Sequence, residues 1–149
     1  MRAGKHSRFG FTFVELLAVV VVIGALTAIA VPRIRDAQEK AKVARSIGDI
    51  RAMQIDLAAL DSLPPSLAAI GKAGLLDPWG HPYLYLKFPD TGPPPGARLD
   101  RFLVPLNTTY DLYSLGADGQ TMPALSAASS LDDVVRGIDG GFIGRGSTF

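Results

Sequence analysis

Near its N-terminus the chain contains an apolar block that constrains how every other part can be arranged. Residues 11–31 read F-T-F-V-E-L-L-A-V-V-V-V-I-G-A-L-T-A-I-A-V, with Glu15 as the one charged side chain. About 21 residues of this composition suffice to cross a hydrocarbon core as a helix, because each residue rises about 1.5 Å. The block therefore predicts a transmembrane helix, and only the rest of the chain is left to build a soluble domain.

The charges before this block predict its orientation. Residues 1–10 carry Arg2, Lys5 and Arg8 and no acidic side chain. Because basic flanks stay in the cytoplasm, they predict a cytoplasmic leader and a C-terminus outside the membrane. Without the leader, Lys plus Arg falls from 15 to 12 against 14 acidic residues, so the net charge becomes about −2. A slightly acidic chain has no basic surface for nucleic acid, and no nucleic-acid partner is predicted.

Two residues distinguish the block from a plain signal anchor. Glu15 places a carboxylate in a membrane span, which costs on the order of 2.5–3.5 kcal/mol and is rare without a partner. Gly10 directly precedes the block, and a residue without a side chain lets a peptidase approach the backbone closely. A secretory signal peptide would have a shorter apolar run that closes with small residues.

The segment R-F-G-F-T-F-V-E, residues 8–15, resembles the processing site of type IV prepilins and type II secretion pseudopilins. The resemblance implies that a membrane-embedded prepilin peptidase cuts between Gly10 and Phe11 and N-methylates Phe11. It also implies that Glu15 is retained for assembly. The chemistry is consistent, since the cut creates a cationic amine that Glu15 of a neighbouring subunit can neutralise in a fibre core of low dielectric constant.

After the span, the pattern changes to that of an amphipathic helix. Pro32 predicts a kink or an interrupted hydrogen bond. Apolar residues then recur at steps of three or four through residues 32–61, with charged residues between them. This predicted face comprises Ile34, Ala37, Ala41, Ala44, Ile47, Ile50, Met53, Leu57 and Leu60. Ser62 and the Pro64–Pro65 pair predict the end of the helix.

Residues 62–149 are predicted to form a small periplasmic α/β domain. A short helix is predicted at 66–72, with Gly74 ending it, and the Gly-rich tail 137–149 is predicted to be a mobile or loosely docked C-terminal loop. Three segments have strand composition, namely 83–88, 101–104 and 109–114. The predicted fold class is α+β, in which the long N-terminal helix packs on a small antiparallel sheet.

A loop near the C-terminus carries a candidate metal site. Residues 111–119 (D-L-Y-S-L-G-A-D-G) and 131–135 (L-D-D-V-V) resemble the major, G-type pseudopilin, in which calcium pins this loop. By position, the resemblance implies carboxylate ligands from Asp118 and from Asp132 or Asp133, and the carbonyl of Leu115. Calcium prefers six to eight oxygen ligands and would stabilise a domain in a chain without cysteine.

The segment between the two motifs departs from the family pattern, because it is longer and more apolar than is usual there. A second interpretation therefore stays open, in which A-D-G is a turn and Asp132 and Asp133 cap a helix or face solvent.

The sequence does not predict an enzyme. Beyond the leader, His81 is the only histidine, and the chain contains neither H-E-x-x-H nor G-x-S-x-G. His81 lies between Gly80 and Pro82, where a turn residue is expected rather than a general base.

The family resemblance implies a structural subunit of the type II secretion pseudopilus. This subunit would be a single-pass protein of the inner membrane with a periplasmic C-terminus. Its implied partners are further copies of itself, minor pseudopilins, the prepilin peptidase, the inner-membrane assembly platform and membrane lipid. Two alternatives stay open: a type IV pilin serving motility, adhesion or DNA uptake, and a signal-anchored periplasmic binding protein.

Overall fold

A computed structural model describes residues 10–149, so residues 1–9 of the predicted leader lie outside the described residues. The fold divides into two compact units, one ending at Glu39 and the other comprising Lys40–Phe149. The described part of the first unit is the beginning of the N-terminal helix. The second unit contains the sheet and its connecting loops.

The helix α1 extends over Phe13–Ala58 and includes Pro32. The predicted interruption at Pro32 is therefore not a break in the helix, although proline supplies no backbone N–H at that position. The last turn tightens, since the N–H of Leu60 donates to the carbonyl of Leu57 at 3.3 Å. The helix consequently ends three residues before the predicted Asp61.

Four short strands form one antiparallel sheet. They are β1 (Leu84–Lys87), β2 (Tyr110–Ser114), β3 (Val134–Gly137) and β4 (Phe142–Arg145). Their order in the sheet is β1-β2-β3-β4, and each strand pairs antiparallel with the next. Together with α1, this arrangement confirms the predicted α+β fold.

Short 3₁₀ turns connect the strands and close the chain. They are Leu67–Ile70, Ala128–Ser130, Ile138–Gly140 and Gly146–Thr148. The first replaces the short helix predicted at 66–72. It ends at Gly71, which has a left-handed φ of 69° and whose N–H donates to the carbonyl of Ala68, and not at Gly74 as predicted.

The strand predicted at 101–104 is wrong, because this segment is a turn. Asp100 Oδ1 accepts hydrogen bonds from the N–H groups of Phe102 (2.7 Å) and Val104 (2.9 Å). Leu103 has a φ of 63°, which is incompatible with an extended strand. A local side-chain acceptor therefore prevails over the β propensity of three consecutive apolar residues.

The mobile or loosely docked tail predicted at 137–149 is also wrong, because β4 lies within it. Phe142 and Phe149 pack edge to face with ring centroids 5.0 Å apart. A Cβ added at Gly137 would come within 2.8 Å of the Phe149 ring, and one at Gly144 equally close to the Phe142 ring. These glycines make room for aromatic side chains, and they do not indicate mobility here.

The sheet is covered on both faces. On one face, α1 contributes Ile50, Met53 and Leu57, which are at most 1% exposed. They pack with Leu67, Tyr83, Tyr110, Leu112 and Val134. The predicted helix face is therefore confirmed only in part, since its members Ile34, Ala37, Ala41, Ala44 and Leu60 are exposed. On the other face, a smaller cluster contains Leu106, Leu125 and Val135, with Tyr113, Phe142 and Phe149 against it. Burial of side chains of this size stabilises the domain by roughly 1.5–3 kcal/mol each.

Candidate assembly site

The predicted cleavage point lies in an exposed segment just before α1. Gly10 is exposed, and among the described residues beyond its chain neighbour no atom lies within 4 Å of the position its Cβ would take. Phe11 is 76% exposed, and the helix begins only at Phe13. The Gly10–Phe11 bond is thus outside the hydrogen-bonded helix and open to a peptidase. The structure does not test the cut itself, which stays a prediction.

Glu15 lies in the first turn of α1 and forms a capping box with Thr12. Its Oε2 accepts hydrogen bonds from the backbone N–H and from the hydroxyl of Thr12, both at 2.8 Å. In return, the N–H of Glu15 donates to Thr12 Oγ1 at 3.2 Å. This reciprocal arrangement satisfies donors that the start of a helix leaves free. The T-F-V-E spacing before an apolar run is the sequence signal for it, and the sequence analysis missed that signal.

The first part of α1 presents an uncovered apolar surface. By length and composition, α1 could cross a membrane, and none of its most apolar stretch is buried by the rest of the described chain. Thr27, a polar residue within the span, donates its hydroxyl to the carbonyl of Ile23 at 2.7 Å. The helix itself thus supplies an acceptor for this hydroxyl, as an apolar environment requires.

The structure brings only part of the predicted metal set together. Asp132 Oδ2 accepts hydrogen bonds from the N–H groups of Ala117 (2.6 Å) and Asp118 (3.0 Å), so Asp118 and Asp132 lie in one loop that also includes Leu115. Asp118 Oδ1 accepts the N–H of Gln120 at 2.8 Å. These contacts are those of a turn, and oxygen atoms of both carboxylates are already used to order it.

Asp133 is the ion-pair partner of a buried arginine. Its side chain is fully buried, and Oδ2 lies 2.5 Å from Nη2 of Arg98. Burial raises the pKa of Asp133, whereas the hydrogen bond from Thr121 and the guanidinium of Arg98 act to lower it. Among residues 10–149 there is no group of three His, Cys, Asp or Glu side chains placed to hold a metal ion. The structure does not test calcium binding by Leu115, Asp118 and Asp132 or Asp133, which stays an implication of the resemblance.

The turn at Asp77 is bonded to the start of the same loop. Asp77 Oδ1 accepts the N–H groups of Trp79 (3.0 Å) and His81 (2.9 Å), while Ser114 donates its hydroxyl to Oδ2 at 2.5 Å. His81 Nδ1 is 3.1 Å from the carbonyl oxygen of Gly116.

A serine, a histidine and an aspartate thus meet without forming a nucleophilic triad. The hydroxyl of Ser114 is fully buried and bonds to the carboxylate of Asp77, whereas a triad needs the imidazole to take its proton.

Sequence reasoning missed the buried polar residues that join the strands to their connecting loops. Arg98, Asn107, Asp111 and Arg136 are each at most 5% exposed. Asn107 Nδ2 donates to Asp111 Oδ1 and to the carbonyl of Arg136, both at 2.9 Å. Burial raises the pKa of Asp111, against the hydrogen bonds from the N–H of Arg98 and from Asn107. The partners are four to 29 residues apart in sequence, and no short motif marks them.

Comparison with known proteins supports the predicted processing segment. Residues 5–31 match the family described as the prokaryotic N-terminal methylation motif, a range that includes Gly10, Phe11 and Glu15. No solved structure matches the chain significantly.

The relatives that match most of the chain share one name. The type II secretion system core protein G of Pseudomonas aeruginosa is 33% identical, over 78% of this chain and 88% of the relative. The protein of the same name from Escherichia coli K12 is 30% identical, over 80% of this chain and 88% of the relative. A fimbrial protein of Pseudomonas aeruginosa is 40% identical, but over only 30% of this chain. The chain belongs to the type II secretion system core protein G family.

Proposed function

We propose that the protein is a structural subunit of the type II secretion pseudopilus, which polymerises through α1 and drives protein export across the outer membrane. Its relatives of highest coverage are named as core proteins of that system. A type IV pilin is less favoured, since the fimbrial match covers 30% of the chain against 78% for the core protein. The role is structural and not catalytic.

The observation that carries this proposal is the uncovered apolar surface of α1 with one carboxylate at its start. Side chains such as Val14 (71%), Val20 (67%) and Leu26 (63%) are exposed over the length of the predicted span. An apolar surface of this extent is unstable in water and requires a cover. We infer that lipid covers it in the membrane-anchored subunit and that other copies of α1 cover it in the fibre.

Processing would supply a positive charge to pair with the carboxylate of Glu15. Cleavage by the prepilin peptidase turns the amide nitrogen of Phe11 into a cationic amine, and N-methylation leaves that charge in place. In the fibre, this amine would pair with Glu15 of a neighbouring subunit, whose carboxylate would leave its hydrogen bonds to Thr12. Removing one partner of such a buried pair costs about 3–5 kcal/mol, which makes the pairing selective for processed subunits.

The orientation follows from the basic leader. With Arg2, Lys5 and Arg8 in the cytoplasm, α1 would cross the inner membrane once and residues 62–149 would lie in the periplasm. Beyond other copies of the chain and minor pseudopilins, the proposed partners are the prepilin peptidase, which must reach Gly10, and the inner-membrane platform that adds subunits.

The first test is Glu15→Val in a host strain that lacks its own copy. Membrane insertion, cleavage and methylation are expected to persist, whereas sheared fibres should fall by about 100-fold or more, because the new amine loses its partner. Intact-mass measurement gives the processing state, and fibre yield gives assembly. Thr27→Val is the matched control, since the Thr27 hydroxyl bonds only within its own helix turn, and it should assemble normally.

Two results would contradict the proposal. Fibres at normal yield from Glu15→Val would show that assembly does not need the pairing between Glu15 and the amine of Phe11. Protein that still begins at Met1, without a methyl group on Phe11, would show that the chain is not processed at Gly10. Deletion of the gene should abolish secretion and leave surface motility intact; the reverse pattern would favour a type IV pilin.

A further inference from the structure

The most deeply buried cation of the sheet domain is Arg98, in the loop between β1 and β2. Its side chain is 2% exposed, although a guanidinium stays charged at any physiological pH. Nη2 donates to Asp133 Oδ2 at 2.5 Å, and Nη1 donates to the carbonyl of Met122 at 2.6 Å and to the hydroxyl of Thr121. A carboxylate, a carbonyl and a hydroxyl oxygen therefore surround one positive charge.

All three oxygen atoms belong to the loop 115–133. Thr121 and Met122 lie within it, and Asp133 is its last residue, directly before β3. Thr121 also donates its own hydroxyl to Asp133 Oδ2 at 2.6 Å, so the three groups form one closed set. The guanidinium is consequently the point at which the loop is joined to the sheet.

Arg98 is itself held in position by β2. Its backbone N–H donates to Asp111 Oδ2 at 2.6 Å, and its guanidinium carbon lies 4.6 Å from the centroid of the Tyr113 ring. Asp111 and Tyr113 are neighbours along β2, so the backbone and the charged end of Arg98 are both fixed to that strand. The charge is thus preorganised, which reduces the entropic cost of ordering the loop around it.

We propose that the Arg98 guanidinium is the built-in cation that fastens the loop 115–133 to the sheet, in the role that sequence resemblance gave to calcium. The ligand chemistry is of the kind a hard cation recruits, with carboxylate, carbonyl and hydroxyl oxygens. A divalent ion at Asp133 would be repelled by the adjacent guanidinium, twice as strongly as a monovalent ion at the same distance. Asp133 is therefore the counter-ion of an arginine, and the fold of this domain does not depend on a metal.

One oxygen atom of the Arg98–Asp133 ion pair makes a direct test of calcium binding necessary. Asp133 Oδ1 is buried and has no hydrogen-bond partner among the described residues, so one carboxylate oxygen is still available to a ligand. The purified full chain in detergent is melted with excess EDTA and, separately, with millimolar calcium chloride, and followed by near-ultraviolet circular dichroism. The two melting midpoints are expected to coincide. A midpoint that falls in EDTA and recovers with calcium would overturn the proposal.

Substitution of Arg98 tests directly whether its guanidinium fastens the loop 115–133. Arg98→Met leaves Asp133 buried without its partner and should lower the midpoint by on the order of 10–20 °C. Hydrogen exchange of the loop amides from Ala117 to Met122 should become faster in the same variant. Arg98→Lys keeps the charge but loses the planar fork, and an intermediate effect is expected. Arg51→Met, at an exposed arginine of the same unit, is the matched control and should change the midpoint little.

A double variant keeps the test valid if Arg98→Met does not fold. Arg98→Met combined with Asp133→Leu replaces the ion pair with apolar side chains, and most of the lost midpoint should return. A double variant no more stable than the single one would show that Asp133 is not the partner that matters. Loop exchange in Arg98→Met as slow as in the unmodified chain would show that Arg98 does not hold the loop.

Discussion

The two halves of α1 have the same backbone conformation and opposite surroundings. In the first half, large apolar side chains such as Val20 and Leu26 are more than 60% exposed. In the second half, Ile50 and Met53 are fully buried against the sheet. The difference shows that helix formation and burial are separate properties of a sequence, because one helix is covered by its own domain in only part of its length.

The distribution of apolar residues explains this difference. The first half is apolar on all sides, which suits a surrounding of lipid or of other apolar helices. The second half places apolar residues three or four apart, with charged residues between them, so that a single face is available to the sheet. A helix covered by one sheet buries one face, whereas a helix in a membrane or fibre core needs an apolar surface all round.

Polar groups follow the same division. In the first half, Thr12, Glu15 and Thr27 make hydrogen bonds within the helix or its cap. In the second half, Asp49 accepts a hydrogen bond from the Tyr83 hydroxyl at 2.9 Å, and the hydroxyl of Ser46 lies 3.3 Å from the same oxygen atom. Burial raises the pKa of Tyr83, with the neighbouring Asp49 acting in the same direction, so the hydroxyl stays a donor. Only the second half is bonded to its domain.

The largest expected difference between the halves is in the response to loss of a leucine. Leu57→Ala removes a side chain that is 1% exposed and should lower the free energy of unfolding of the sheet domain by about 2–5 kcal/mol. Leu26→Ala should change it by less than about 0.5 kcal/mol, because Leu26 contributes nothing to that core. Urea unfolding of the full chain in detergent measures both. Equal losses would contradict the division of α1.

A smaller effect is expected for the hydrogen bonds between α1 and the sheet. Tyr83→Phe should cost about 1–2 kcal/mol, because Asp49 loses a donor in a partly buried place. Thr27→Val removes a hydroxyl that bonds within its own helix and should leave the stability of the sheet domain unchanged. If both variants unfolded at the same urea concentration as the unmodified chain, the Tyr83 hydroxyl would not join the helix to the sheet.

The smallest effect concerns the dependence of the sheet domain on pH. Burial raises the pKa of Asp139, but hydrogen bonds from Thr108 and Thr109 and the charge of Arg136 together hold it below its usual 3.8. Such a group stabilises the fold above its unfolded pKa, and that contribution is lost as pH falls through the lower folded pKa.

Asp139→Asn should therefore cost about 0.5 kcal/mol at neutral pH, a value discounted because the side chain is 39% exposed. The cost should shrink as the pH falls below 3.8. Unfolding free energies of the two chains at several pH values measure this, with the exposed Asp90→Asn as control. A difference independent of pH would show that the carboxylate charge plays no part.

Much of the fold was predictable because its signals are local. The apolar block, the helical spacing of Ile50, Met53 and Leu57, and the composition of β1 and β2 are each contained in one segment. The turn at Asp100 and the strand β4 were not predictable by the same means. The side chain of Asp100 accepts hydrogen bonds from two backbone N–H groups and so sets the turn. The strand β4 lies in a Gly-rich tail, where Gly137 and Gly144 leave room for the rings of Phe149 and Phe142.

The candidate site divides in the same way. Gly10, Phe11, Thr12 and Glu15 lie within six consecutive residues, so the resemblance that predicts the processing segment and the spacing of the capping box are both contained in one short stretch. Arg98 and Asp133 are 35 residues apart, and no local sequence pattern around either residue predicts that they pair. Short-range patterns determine which segments become helix, span or strand, since backbone hydrogen bonds and lipid act on consecutive residues. Only tertiary packing decides which buried charge meets which oxygen, because that choice depends on groups that the folded chain brings together from distant segments.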